Sequence, residues 1–145
     1  MKIMVSACLL GDNVKYDGTN NYDYELANFL KDYEVIKVCP ECMGGLSIPR
    51  VPSEINGDKV ITKDGVDVTK EFEKGARKTL EIARDNNIKI AILKSNSPSC
   101  GYGKIYDGSF THQLIDGTGV TARLLIENDI IVSNEKNYKE ILKKY

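Results

Sequence analysis

Apolar positions along the chain fall into two kinds of stretch. Short, dense, partly β-branched runs occupy Lys2–Ala7 (KIMVSA), Glu34–Val38 (EVIKV), Ile88–Lys94 (IKIAILK) and Ile130–Val132 (IIV). Runs of this length and make-up predict buried strands. The third is the most apolar, which places it centrally in a sheet. Elsewhere apolar residues recur at helical spacing. Leu26, Phe29 and Leu30 do so within Tyr22–Asp32; Phe72, Ala76, Leu80 and Ala83 form one stripe that ends near Asn86. Helices are predicted there, and again over Val120–Glu127 (VTARLLIE) and Glu135–Lys144. Thr69 stands where an N-cap is needed, with Glu71 in the first turn behind it.

Glycine, proline and asparagine punctuate these elements. Residues 11–21 (GDNVKYDGTNN) read as a loop, as do 95–103 (SNSPSCGYG), and Gly117 and Gly119 break the chain again. Residues 39–53 (CPECMGGLSIPRVPS) hold three of the four prolines. A long loop in a compact domain is usually either functional or disordered, and the prolines and two cysteines favour a functional one. After it, Asn56-Gly57 and Asp64-Gly65 lie between short β-prone pieces of 54–68, the mark of a small hairpin. The resulting order, β-α-β-hairpin-α-β-α-β-α, implies an α/β fold with a mostly parallel sheet. The expected architecture is a three-layer sandwich of about four parallel strands plus the hairpin.

At 145 residues the chain is expected to form a single domain over 1–145. Its 20 basic and 21 acidic residues leave a net charge of −1. That balance disfavours tRNA or any broad nucleic-acid partner, which calls for a surplus of Lys and Arg on one face. No apolar run approaches the ~20 residues of a membrane span. The start, MKIMVSACLLGD, reads as neither signal peptide nor anchor, so a soluble cytoplasmic protein is expected.

The candidate chemistry lies in four cysteines: Cys8, Cys39, Cys42 and Cys100. A lone buried cysteine is usually a small core hydrophobe. Here, however, Cys8 follows the first predicted strand, Cys39 follows the second, and Cys100 lies in the loop after the third. In a parallel sheet those loops share one edge, where ligands bind. Three thiols distant in sequence are therefore expected in one place. A zinc site joined by Cys42 fits this count, and so does an iron–sulfur cluster with one iron left open. Cys39-Pro40-Glu41-Cys42 is also a C-x-x-C of the thiol–disulfide oxidoreductase kind, but Gly44, Gly45 and Pro49 predict poor helix behind it. The single histidine, His112, excludes sites built on two imidazoles, and no motif includes it.

Several motifs together resemble one known family. CLLG (Cys8–Gly11), YDG (Tyr16–Gly18), CPE with GGL and PR (Cys39–Arg50), SPSCG (Ser97–Gly101) and GTGVTARLL (Gly117–Leu125) are similar to the thiouracil desulfidases, long a family of unknown function. The resemblance spans nearly the whole chain. It implies an oxygen-sensitive 4Fe-4S cluster on Cys8, Cys39 and Cys100 with one iron open. The substrate would be a small thiolated nucleobase such as 2-thiouracil, and the products uracil and sulfide. It also implies that Glu41 activates water and that Ser97 assists proton transfer at the base. A zinc-binding structural module and the C-x-x-C oxidoreductase are the alternatives.

Each of these residues has a plainer reading beside the functional one. Glu41 as a solvated carboxylate or partner of Arg50 stands against Glu41 as a base, and Ser97 as a turn cap stands against a catalytic Ser97. Cys42 departs from the family pattern, where an apolar residue is expected, and this leaves Cys39 and Cys42 as competing ligands. Arg50 and Glu54 read as an ion pair bracing the loop. Asp17 reads as a pocket-closing group or an Asx-turn, Lys94 as an anion binder or a snorkelling side chain, and His112 as a surface or packing residue.

Overall fold

A computed structural model describes residues 1–145. The four apolar runs become β1 (Lys2–Ser6), β2 (Glu34–Val38), β5 (Ile90–Ile92) and β8 (Ile131–Ser133). They form one sheet in the order β2-β1-β5-β8, every pair parallel. Parallel sheets need cover on both faces, and the burial pattern supplies it. On β1, Ile3, Met4 and Val5 are all fully buried. Met4 points to one core with Leu80, Ala83, Ala122 and Leu125, from helices α3 (Thr69–Asp85) and α4 (Val120–Glu127). Ile3 and Val5 point to the other with Leu26 of α1 (Tyr24–Phe29) and Tyr138 of α5 (Tyr138–Leu142). The period-two alternation of the strand thus sets the three layers. No helix is long and apolar enough to cross a membrane.

The structure adds two elements to the expected order and moves one cap. Besides the hairpin of β3 (Ser53–Asn56) and β4 (Lys59–Thr62), β6 (Tyr102–Tyr106) pairs antiparallel with β7 (Leu114–Thr118). This second hairpin was illegible because Gly103 and Gly117 weaken its strands and a seven-residue loop, 107–113, replaces a short turn. Pro40–Met43 is a short helix, α2, where a loop was expected. Pro40 sits at its first position, where a missing N–H costs nothing. Thr69 does not cap α3: Val68 holds that place, and the Thr69 hydroxyl instead accepts from the Val60 amide at 2.9 Å.

α2 is anchored on α3 through two glycines. A Cβ on Gly44 would lie 2.0 Å from the Glu71 carbonyl oxygen, and one on Gly75 would lie 1.9 Å from that of Pro40. Only hydrogen at both positions permits this crossing, which fixes where the Cys39–Cys42 segment sits.

Candidate active site

The order β2-β1-β5-β8 reverses direction between β1 and β5, the crevice where α/β sheets bind ligands. The loops beyond β1, β2 and β5 frame a cavity of about 520 Å3 there. Cys8, Cys39 and Cys100 all line it, together with Glu41 and Ser97; Cys42 does not. All four cysteines are free thiols.

Each cysteine is positioned by its own local structure. Cys8 sits in a 3-10 turn, Ala7–Leu10, closed by Gly11 at φ +97°. The Asn21 amide folds the following loop back, its side chain donating to Cys8 Sγ at 3.4 Å and its backbone N–H to the Cys8 carbonyl at 2.9 Å. Cys39 is the N-cap of α2. Cys100 lies in a tight turn in which Ser97 Oγ accepts from the Ser99 and Cys100 amides, both at 3.1 Å. That turn is clamped by the start of α4. Gly119 N–H donates to Gly101 O at 2.7 Å, and the Thr121 and Ala122 amides donate to Ser99 O at 2.9 and 3.0 Å. A Cβ on Gly119 would stand 2.6 Å from the Ser99 backbone. The GTGVTA motif therefore serves to hold the SPSCG turn. Ser6 Oγ joins the sheet to the site, accepting from the Lys94 amide at 2.9 Å and donating to Cys100 Sγ at 3.5 Å.

Burial dominates the thiol chemistry. It pushes Cys100 up to about 11 and Cys39 up to about 12, and it raises Cys8, against which Asn21 and Lys94 pull back. Without a metal these are protonated thiols, so metal binding must release protons. A redox-active C-x-x-C needs the opposite, a depressed thiol. The strand–Cys39–helix geometry of an oxidoreductase is present, but its electrostatics are not.

Glu41 is held on both oxygens. Oε1 accepts from Arg50 Nε at 3.0 Å and Oε2 accepts from Ser99 Oγ at 3.2 Å. Burial works against the Arg50 charge, and the Glu41 carboxylate outweighs it, so Arg50 is raised overall. Arg50 also donates to the Val14 and Ser47 carbonyls at 2.8 and 3.2 Å. Ser99 Oγ lies 3.0 Å from Ser97 Oγ. A chain of oxygens, Glu41–Ser99–Ser97, therefore runs along the cavity wall. Ser97 is both turn cap and cavity-lining hydroxyl: its lone pairs accept from the two amides, and because Ser99 spends its proton on Glu41, the Ser97 proton goes to Ser99 Oγ.

The expected Arg50–Glu54 ion pair is not formed, whereas Asp17 and His112 take readings already open to them and Lys94 finds a partner of its own. Glu54 does not pair with Arg50, which takes Glu41; Glu54 Oε1 accepts from the Gly108 and Phe110 amides at 2.9 and 3.1 Å. Asp17 makes an Asx-turn, accepting from the Thr19 amide at 3.0 Å. Lys94 pairs with Glu135 at 3.1 Å while lining the cavity. His112 is exposed, but it lines the same cavity with Tyr106 and Phe110. Sequence reasoning missed Ser99, although it lies inside SPSCG, and had no signal for Tyr106, Phe110 and His112, which the unpredicted hairpin delivers.

No three Cys, His, Asp and Glu side chains gather closely enough to grip a single metal ion. A zinc site, with donors about 2.3 Å from one point, requires such a grouping.

The family model for 2-thiouracil desulfurase matches residues 3–137. The uncharacterized protein YbbK of Bacillus subtilis (strain 168) is 39% identical over 150 residues, spanning 97% of this chain and 99% of that one. The solved structure of TudS, a 4Fe-4S-dependent thiouracil desulfidase, superposes with a TM-score of 0.92 at 41% identity, covering 99% of this chain and 96% of that chain.

Proposed function

The chain belongs to the 2-thiouracil desulfurase family, and from that premise we propose that it is a 4Fe-4S-dependent desulfidase that converts a thiolated pyrimidine such as 2-thiouracil to uracil and sulfide. We assign the cluster to Cys8, Cys39 and Cys100. The observation that carries this is their convergence on one cavity, with Glu41 and Ser97 on the same wall. The donor set suits the group: a cluster takes each thiolate at a different iron, so its ligands stand around a cavity rather than about one point. When bound through three cysteines, it supplies an open iron as Lewis acid for the thiocarbonyl sulfur.

The remaining work falls to the chain. Glu41 Oε2 accepts a proton from the water that attacks the carbon losing sulfur, and Arg50 on Oε1 keeps the carboxylate aimed. Ser99 and Ser97 offer a path by which that proton returns to the base. Loops from three strands and residues of the β6–β7 hairpin wall the cavity in which this happens. Residues 1–145 act as one domain on this reading, in the cytoplasm, where buried thiols and an oxygen-sensitive cluster stay reduced. Near-neutral charge favours a free nucleobase over tRNA.

Glu41→Gln tests the assignment. The amide preserves shape and hydrogen bonding but cannot take the proton, so turnover falls by about 10²–10⁴-fold. Iron and sulfide per chain stay at the wild-type level after anaerobic reconstitution. Turnover near wild type removes Glu41 from the chemistry, and loss of iron makes it a structural residue of the cluster loop.

A further inference from the structure

The β6–β7 hairpin carries a loop, Asp107–Gln113, that the reaction described above does not use. Two of its residues, Phe110 and His112, line the cavity that the three cysteines share. Both have left-handed backbones, at φ +58° and +60°. Non-glycine residues rarely adopt this conformation, and such strain gathers at ligand clamps. Here the surroundings enforce it.

The bracing is extensive. The Glu54 carboxylate, 9% exposed, reaches from β3 under the loop and accepts from the Gly108 and Phe110 amides. Gly108, at φ +94°, sits so close to β3 that a Cβ would stand 2.9 Å from the Ile55 carbonyl oxygen. Asp107 accepts from the Ser109 amide at 2.9 Å, and the Asp107 amide closes the loop on the Gln113 carbonyl at 3.0 Å. The His112 ring packs edge-on against Tyr106, with centroids 6.2 Å apart at 82°. A buried carboxylate spent on holding a surface loop needs a reason, and presenting Phe110 and His112 to the cavity supplies one.

We propose that Asp107–Gln113 is the recognition flap for the nucleobase, with Phe110 offering a ring face for stacking, His112 a hydrogen bond to the polar edge of the pyrimidine, and Glu54 acting as the positioning residue beneath. The inference rests on the desulfidase reading. It adds the elements that select a planar heterocycle with a polar edge. Pyrimidines suit this pair: every base has a π-face for an aromatic ring, and a neutral imidazole both donates and accepts.

The test uses the anaerobically reconstituted holoenzyme. Phe110→Ala raises KM for 2-thiouracil by roughly 5- to 100-fold, and His112→Ala by roughly 3- to 10-fold, with kcat within about twofold in each. Iron content stays unchanged, since neither residue is near a thiol by hydrogen bond. Glu54→Ala raises KM in the same way, and Glu54→Gln restores it because the amide oxygen still accepts from both N–H groups. A second readout is independent of turnover. His112 is the sole histidine, so its imidazole resonances report alone; titration with the product uracil shifts them in the wild-type protein and in Glu54→Gln, and not in Glu54→Ala. KM values for Phe110→Ala and His112→Ala within twofold of wild type, in a protein that turns over thiouracil, overturn the flap and leave the desulfidase reading standing. A wild-type holoenzyme with full iron that releases no uracil overturns the desulfidase reading, and the flap with it.

Discussion

Cys39→Ser is expected to abolish iron binding and turnover together, while Cys42→Ser keeps full iron and most activity. The two cysteines are three residues apart, and the family motif CPE favours the first. Geometry gives an independent reason. Cys39 lines the cavity shared with Cys8 and Cys100, whereas Cys42, three residues on in α2, does not line it and accepts from Arg50 Nη1 at 3.8 Å. Serine is nearly isosteric with cysteine, so the fold should survive either change. Its hydroxyl does not ionise near neutral pH, so a serine cannot replace a ligating thiolate. Iron per chain after anaerobic reconstitution and the brown colour of the cluster provide the measurement. Iron retained in Cys39→Ser and lost in Cys42→Ser would reverse the ligand assignment.

Gly75→Ala is expected to destabilise the protein by about 3 kcal/mol, at the upper end for overpacking, and to lower iron occupancy although residue 75 touches no ligand. Two effects oppose one another. In an exposed helix interior the change stabilises by about 1 kcal/mol, because glycine is the poorer helix former. Gly75 is buried, and its new Cβ would stand 1.9 Å from the Pro40 carbonyl oxygen. That oxygen also accepts the Gly44 amide at 2.9 Å, so it cannot move alone; α2 must lift off α3. Cys39 and Glu41 ride on that segment and are displaced with it. Chemical denaturation reads the stability and reconstitution reads the iron. A variant at or above wild-type stability would show that the two helices separate freely and that their contact does not position the loop.

The sheet was legible because its strands are short runs dense in apolar, β-branched residues, and the central ones are buried on both faces. The layers followed, since helical stripes between parallel strands have only the two sheet faces to cover. Motif residues were legible as a set for a related reason. Cys8, Cys39 and Cys100 each fall just past a strand end, and parallel topology gathers those ends on one edge.

The partnerships inside the site were not legible. Arg50 takes Glu41 rather than Glu54, a choice set by where the loop of residues 39–53 folds back across residues 14–16. α2 was hidden because a four-residue helix has too few positions for a period, and its stability comes from the glycine crossing with α3.

Sequence by itself determined the class of fold, the shared edge of the cysteines and, through its motifs, the family. These properties rest on local pattern: apolar period, turn residues, and residue types at fixed spacing. Only the tertiary structure decided which carboxylate meets which cation, that Ser99 links Glu41 to Ser97, and that Phe110 and His112 reach the cavity. Those are contacts between segments far apart in sequence, 58 residues for Glu41 and Ser99 and 94 for Ser6 and Cys100. Local patterning does not encode such contacts, because they form only after the packing of helices on the sheet has fixed where each loop must run.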